Sequence, residues 1–158
     1  MEKSALENGA LLGPYFSNWS MERYYILMDR MDFSPSRQLW QLSKGEYMKM
    51  QTCFALAHNP RFLIMDEPLE GFDPIFRRKF LSIMQDILNE DVGIFISSHI
   101  TETLKNLADY LMFADNGTIS FHCPEQLDAF LTDQRKHSHS QIRDLFVPKF
   151  LGGNLYEP

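Results

Sequence analysis

The chain has 158 residues, 44% of them apolar and 13% aromatic, enough for one hydrophobic core and one domain of ordinary size. A formal charge of -6 and a pI near 5.3 exclude the basic face that a nucleic-acid partner requires. No run approaches the ~18 consecutive apolar residues of a membrane-spanning helix, no signal-like segment follows Met1-Glu2-Lys3-Ser4, and Cys53 and Cys123 lack paired spacing, so a soluble cytoplasmic chain with reduced thiols is expected.

In chain order, residues 1–19 read as irregular, because Gly9, Gly13 and Pro14 interrupt any period. Ser20 then caps a helix with Glu22 in its first turn, in which Met21, Tyr24, Tyr25, Met28 and Met31 recur at helical spacing; Asp32-Phe33-Ser34-Pro35-Ser36 closes it in a turn. Packing between helices is the favoured account of this Met- and Tyr-rich face, with a docking surface for a partner's helix as the weaker addition. Tyr47, Met50, Phe54 and Ala57 mark a second helix, which follows Leu42-Ser43-Lys44-Gly45-Glu46 and ends at Asn59-Pro60.

The most informative segment comes next. Phe62-Leu63-Ile64-Met65 is a short apolar run that reads as a fully buried parallel strand, and it ends in Asp66-Glu67-Pro68. The C-terminal end of such a strand is where open α/β sheets place their chemistry. Two adjacent carboxylates there call for a cation: Asp66 can hold Mg²⁺ through water, while Glu67, pointing the other way, can orient an attacking water. That layout suits phosphoryl transfer.

Asp73 as N-cap and Pro74 at the first helical position begin another helix, with Phe76, Phe80, Ile83, Ile87 and Leu88 on its buried face. Ile94 to Ile96 form a second strand, so strand, helix and strand make a right-handed βαβ crossover. A helix fits residues 102–108. Tyr110 to Ala114 and Ile119 to Phe121 flank Asp115-Asn116-Gly117, a hairpin signal, and residues 124–131 suit a short helix. Residues 134–141 are polar, and no element is assigned to residues 142–158. His122, Cys123, His137 and His139 have poor spacing for a metal site.

Four of these segments stand together: Leu42-Ser43-Lys44-Gly45-Glu46, Phe62 to Glu67, Gly71-Phe72-Asp73-Pro74, and Ile94-Phe95-Ile96-Ser97-Ser98-His99. In order and spacing the chain resembles the ATP-binding cassette ATPases, the nucleotide-binding subunits of ABC transporters, through the signature, the Walker B strand, the D-loop and the switch histidine. The resemblance covers roughly Leu42 to Gly117. It implies an α/β fold: an incomplete P-loop-NTPase-like parallel sheet with a βαβ core, part of an α-helical subdomain and a C-terminal β-hairpin. The implied division is residues 1–58 as a partial helical subdomain ending in the signature helix, 59–133 as the ATPase core, and 134–158 as a polar linker and tail.

The resemblance also assigns roles. Ser43, Lys44, Gly45 and Glu46 would face the γ-phosphate of ATP held by a second cassette, where free amides and the helix dipole favour an anion. Lys44 and Glu46 stand where the family has glycine and glutamine; the glutamate charge is unfavourable there unless it turns away or pairs with Lys44 or Lys49. Asp66 matches the Mg²⁺-associated aspartate, Glu67 the catalytic glutamate, Asp73 the aspartate that crosses the dimer interface, and His99 the histidine that contacts the γ-phosphate. Leu69 and Phe72 are mild departures from the D-loop pattern. ATP and Mg²⁺ are the implied cofactors; a second nucleotide-binding subunit and a separate transmembrane subunit are the implied partners, with no nucleic acid, at the inner face of the cell membrane.

No glycine of the sequence is followed by lysine, so the P-loop pattern Gly-x-x-x-x-Gly-Lys-Ser/Thr is not among these residues. The expectation is therefore the C-terminal part of a cassette, inactive alone, in which the sheet has an unpaired apolar edge. Leu-Ser-Lys-Gly and Ser-Ser-His-Ile look most like bacterial exporter subunits. The competing expectations are a non-catalytic interaction or regulatory module or decayed fragment, and a chromosome-maintenance or DNA-repair ATPase, for which heptad-bearing arms are not seen.

Overall fold

A computed structural model describes residues 3–98, 108–115, 118–126 and 145–149. They fall into two compact units, Met1–Leu63 with Leu69–Asp86 and Ile64–Pro68 with Ile87–Pro158.

The first unit is helical: α1 (Ala5–Leu12), α2 (Met21–Arg30), α3 (Lys44–Leu56) and most of α4 (Pro74–Leu88). Helix α1 corrects the reading of residues 1–19 as irregular. Ser4 Oγ accepts from the Glu7 amide while Glu7 returns its carboxylate to the Ser4 amide, a complete capping box that outweighs the glycine at position 9. Gly9 is there for close packing, since a Cβ on it would lie 2.4 Å from Tyr24 Cε1. Tyr24 is fully buried and donates its hydroxyl to the Ala5 carbonyl at 3.2 Å, so the ring has little room to yield. Alanine at a helix interior ordinarily gains up to about 1 kcal/mol over glycine. Here overpacking wins: Gly9→Ala is expected to destabilise by about 1–3 kcal/mol, read as a lower urea midpoint at unchanged slope.

Helix α2 starts at the expected cap, with Ser20 Oγ accepting from the Arg23 amide at 3.1 Å. Its buried face is Tyr24, Leu27 and Met28, continued by Met31; Tyr25 is instead 54% exposed, because it sits a hundred degrees round the helix from Tyr24. Helix α3 presents Met50, Cys53 and Leu56 to the same core, and Cys53 Sγ lies 3.5 Å from Met31 Sδ. Both thiols are free, as expected; burial pushes that of Cys53 well up. Trp19 joins the unit by packing on Tyr24 and Phe54, with ring centroids 5.1 and 4.8 Å away.

The strands form a sheet of order β1-β2-β5-β3-β4, from β1 (Phe62–Asp66), β2 (Gly93–Ser98), β3 (Leu111–Asp115), β4 (Thr118–His122) and β5 (Leu145–Lys149), all in the second unit but for Phe62 and Leu63. The amide of Glu67, just past the end of β1, bonds the carbonyl of Ser97 near the end of β2. The two C-terminal ends coincide, so β1 and β2 run parallel, as a βαβ connection through α4 demands. The expected hairpin is present, with β3 antiparallel to β4 and Asp115 opposite Thr118.

Two strand expectations need correction. Strand β1 is not buried on both faces: Leu63 and Met65 are buried, whereas Phe62 is 62% and Ile64 77% exposed, the alternation of a strand with one covered face at the sheet edge. Strand β5, to which no element was assigned, lies antiparallel between β2 and β3. The segment carries few strand signals of its own, and its Pro148 has no N–H to donate. In the structure, pairing with β3 involves only Leu145 and Phe146, so Pro148 faces a partner on one side alone, Phe95 of β2. Pro124–Gln126 is a single 3₁₀ turn, and the helix expected over residues 102–108 lies almost wholly outside the described residues.

Candidate active site

Asp66 closes β1, and Glu67 follows it in the left-handed region, at φ +46°. For a non-glycine residue this conformation costs about 1–3 kcal/mol and persists only where surrounding contacts impose it. Pro68 adds a second restriction, since it disfavours helical backbone in the residue before it. The imposing contacts come from Ser97 on the neighbouring strand. The Glu67 amide donates to the Ser97 carbonyl at 3.2 Å and to Ser97 Oγ at 3.0 Å, and Ser97 Oγ donates to Asp66 Oδ1 at 2.5 Å. Ser97 is buried, so these bonds face little competition from water.

The structure thus brings Asp66 and Glu67 together at the expected strand end and adds Ser97, to which the sequence reading gave no role. The signal was available: in a parallel βαβ unit the last residues of the second strand lie beside the last residues of the first. His99 lies just outside the described residues, as do His137 and His139. His122 Nε2 lies 3.1 Å from Ser120 Oγ. Among the described residues no group of three or more His, Cys, Asp or Glu side chains could hold a metal ion directly; the Asp66 carboxylate offers a hard oxygen of the type that binds Mg²⁺ through water.

A second cluster lies within the helical unit. Ser43 caps α3, accepting from the Glu46 amide at 3.2 Å, and Glu46 returns its Oε2 to the Ser43 amide at 2.9 Å. The glutamate therefore does turn away, into its own helix cap. Its partner is neither Lys44 nor Lys49 but Arg37, whose Nε is 3.3 Å from Oε1. Lys44 Nζ sits 2.7 Å from Glu70 Oε1, and Lys49 Nζ lies 3.5 Å from the centroid of the Phe76 ring. Both ends of the Lys44–Glu70 pair are more than half exposed, so it orients the two segments while contributing at most about 1 kcal/mol.

Backbone contact ties these segments more firmly. Gly71 holds φ at +85°, and a Cβ on Gly45 would lie 2.7 Å from its carbonyl oxygen, so each segment requires glycine where the other passes. Phe72 is buried against Phe76 and Phe80, ring centroids 4.7 and 5.2 Å away, so this departure from the expected D-loop pattern anchors the loop. Asp73 caps α4 as expected, its Oδ1 accepting from the amides of Ile75 at 2.9 Å and Phe76 at 3.0 Å.

These caps titrate. The Ser43 amide bonded to Glu46 and the Phe76 amide bonded to Asp73 hold both carboxyls below their ordinary values of 4.5 and 3.8. A carboxyl depressed on folding adds stability that is present above its unfolded value and lost as pH falls through the folded one. Glu46→Gln keeps the capping geometry without the titration. Any thermal-melt advantage of the natural chain over Glu46→Gln at pH 7 is therefore expected to shrink as pH falls below 4.5, and to be small at every pH because the carboxylate is exposed.

No protein-family model matches the chain. Among curated proteins, it is similar to the lantibiotic transport ATP-binding protein SrtF of Streptococcus pyogenes, 35% identical over 83 residues, which is 52% of this chain and 36% of that protein. It is also similar to the energy-coupling factor transporter ATP-binding protein EcfA1 of Thermotoga maritima, 34% identical over 80 residues, 51% of this chain and 30% of the other. The chain therefore spans about a third of the length of these curated relatives. Among solved structures, an ATP-binding subunit of an ABC transporter matches with a TM-score of 0.70 at 22% identity, over 82% of this chain and 57% of that one. The cbiO1 protein from Clostridium perfringens, part of the transporter complex cbiONQ, matches at 0.67 and 19% identity, over 86% and 57%. These likenesses show the fold, and the expected α/β class holds.

Proposed function

We propose, for a chain that belongs with the ATP-binding cassettes, that it forms part of an ATP-hydrolysing subunit which drives transport through a separate membrane protein. The observation that carries this reading is the carboxylate pair at the end of β1, beside the end of β2, with Glu67 held at φ +46°. Asp66 would hold Mg²⁺ through water, and the ion would supply positive charge against the charge of the phosphate groups. Glu67 would accept a hydrogen bond from the attacking water and take its proton as oxygen adds to the γ-phosphorus and ADP leaves. Ser43, Lys44 and Gly45 would face the γ-phosphate from a second cassette, Glu46 would hold that helix start in shape, Asp73 would sit at the dimer interface, and His99 would place the water. Residues 1–58 would serve as helical subdomain and 59–133 as catalytic core, with 134–158 following it.

The site of action would be the cytoplasmic face of a membrane. No helix among the described residues is long and apolar enough to cross one, and both curated relatives named above are transport ATP-binding proteins. The subunit would be exporter-like, a reading supported by the signature wording Leu42-Ser43-Lys44-Gly45.

A second reading, a non-catalytic interaction module, is favoured by one observation: no glycine in the sequence precedes a lysine. Without P-loop amides and lysine, Asp66 and Glu67 offer a triphosphate only like charge. The 158-residue chain alone is expected to show no Mg-ATP binding by isothermal titration and no phosphate release, with turnover appearing when a polypeptide carrying a P-loop is added. Micromolar binding by the chain alone overturns the division of labour; no turnover in any combination favours the non-catalytic module.

A further inference from the structure

We propose that Ser97 is a positioning residue for the carboxylate pair: its hydroxyl fixes the Asp66 carboxylate and holds the Glu67 backbone left-handed, aiming both for the reaction. The inference rests on the catalytic reading of Glu67 and adds a residue to which that reading assigns nothing. A serine hydroxyl has one hydrogen and two lone pairs. Here the hydrogen goes to Asp66 Oδ1 at 2.5 Å, and a lone pair receives the Glu67 amide at 3.0 Å, so the hydroxyl is oriented from both ends. The bond to the carboxylate is charge-assisted and the stronger of the two. The Ser97 carbonyl shares the same amide at 3.2 Å, so one residue supplies two acceptors to a single donor.

Glu67 needs such a hold. It combines φ +46° with a following proline, and a left-handed glutamate relaxes to extended backbone when nothing opposes it. Relaxation rotates the carboxylate away from where it points now. Ser97 is only 6% exposed, so water does not readily take the place of its hydroxyl.

The test is Ser97→Ala in the 158-residue chain, with the Glu67 backbone read by carbon chemical shifts, by the amide–Hα coupling that reports φ, and by amide exchange. The coupling is expected to leave the left-handed range and exchange at Glu67 to rise about tenfold or more, with Ile94 and Ile96 amides unchanged. Ser97→Cys keeps the volume but bonds weakly, and is expected to give the same local change; it decides the matter if the alanine variant does not fold. Unchanged Glu67 values, or a uniform rise in exchange along β2, overturn the proposal. In a hydrolysing assembly containing this chain, either variant is expected to lower kcat about tenfold or more with KM little changed; unchanged kcat despite a released Glu67 also overturns it. If instead Glu67→Gln leaves hydrolysis intact, the catalytic reading fails, while the hold of Ser97 on Glu67 stands or falls on the backbone measurements.

Discussion

Glu67→Gln, in an assembly that supplies the P-loop, is expected to reduce ATP hydrolysis by at least about a hundredfold while leaving Mg-ATP binding within about threefold. The reason is chemical rather than steric. Glutamine matches glutamate in shape and leaves the Glu67 amide free to bond Ser97, so the backbone conformation is retained. What disappears is the negative charge that accepts the water proton. Loss of binding together with hydrolysis would indicate a structural role for the carboxylate. Unchanged hydrolysis would remove Glu67 from the chemistry altogether. His99→Ala is expected to act on the same step, slowing turnover in the same assembly.

Gly45→Ala is expected to lower the stability of the chain by about 2 kcal/mol and its melting midpoint by several degrees. Two effects oppose each other. Replacing a helical glycine by alanine favours the helix by up to about 1 kcal/mol. Against this, the new Cβ would meet the Gly71 carbonyl oxygen at 2.7 Å, and a backbone atom cannot rotate out of the way as a flexible side chain would. Gly71 is itself pinned at φ +85° and by buried Phe72 next to it. Relief therefore means moving the start of α3 away from the loop before α4, and hydrolysis in a complete assembly is expected to fall along with stability. An alanine variant as stable as the natural chain would show that this contact is looser than its geometry indicates. Lys44→Ala serves as the comparison: it removes the exposed pair with Glu70 but leaves the backbone contact, and a change within about 1 kcal/mol is expected.

Much of the fold was legible along the chain because its determinants are local. The caps at Ser20 and Asp73 each act on amides two or three residues away, and both fall where the sequence places them; the cap at Ser43 is equally local but starts its helix at Lys44, ahead of where the apolar spacing begins. Ser4 and Glu7 carry the same local signal, in a stretch whose Gly9, Gly13 and Pro14 read as irregular; the glycines are there because Tyr24 and Trp19 pack against them, which no local window reveals. The apolar run ending in Asp66-Glu67 identified the strand and singled out the candidate carboxylate pair. Its two-residue burial period, with Ile64 outward, emerged only with the sheet, because which face is covered depends on what lies beside it.

Side-chain identity and near-neighbour spacing were thus enough for α2, α4, β1, β2, the β3–β4 hairpin and the carboxylate pair, but not for α1 or β5. Partners far along the chain were decided by tertiary structure: Ser97 against Asp66 and Glu67, Arg37 against Glu46, Glu70 against Lys44, and β5 beside β2 despite Pro148. Each depends on the register in which distant segments meet. A shift of one residue in a strand turns its side chains to the opposite face, and nothing within the strand's own residues records which register its neighbour takes.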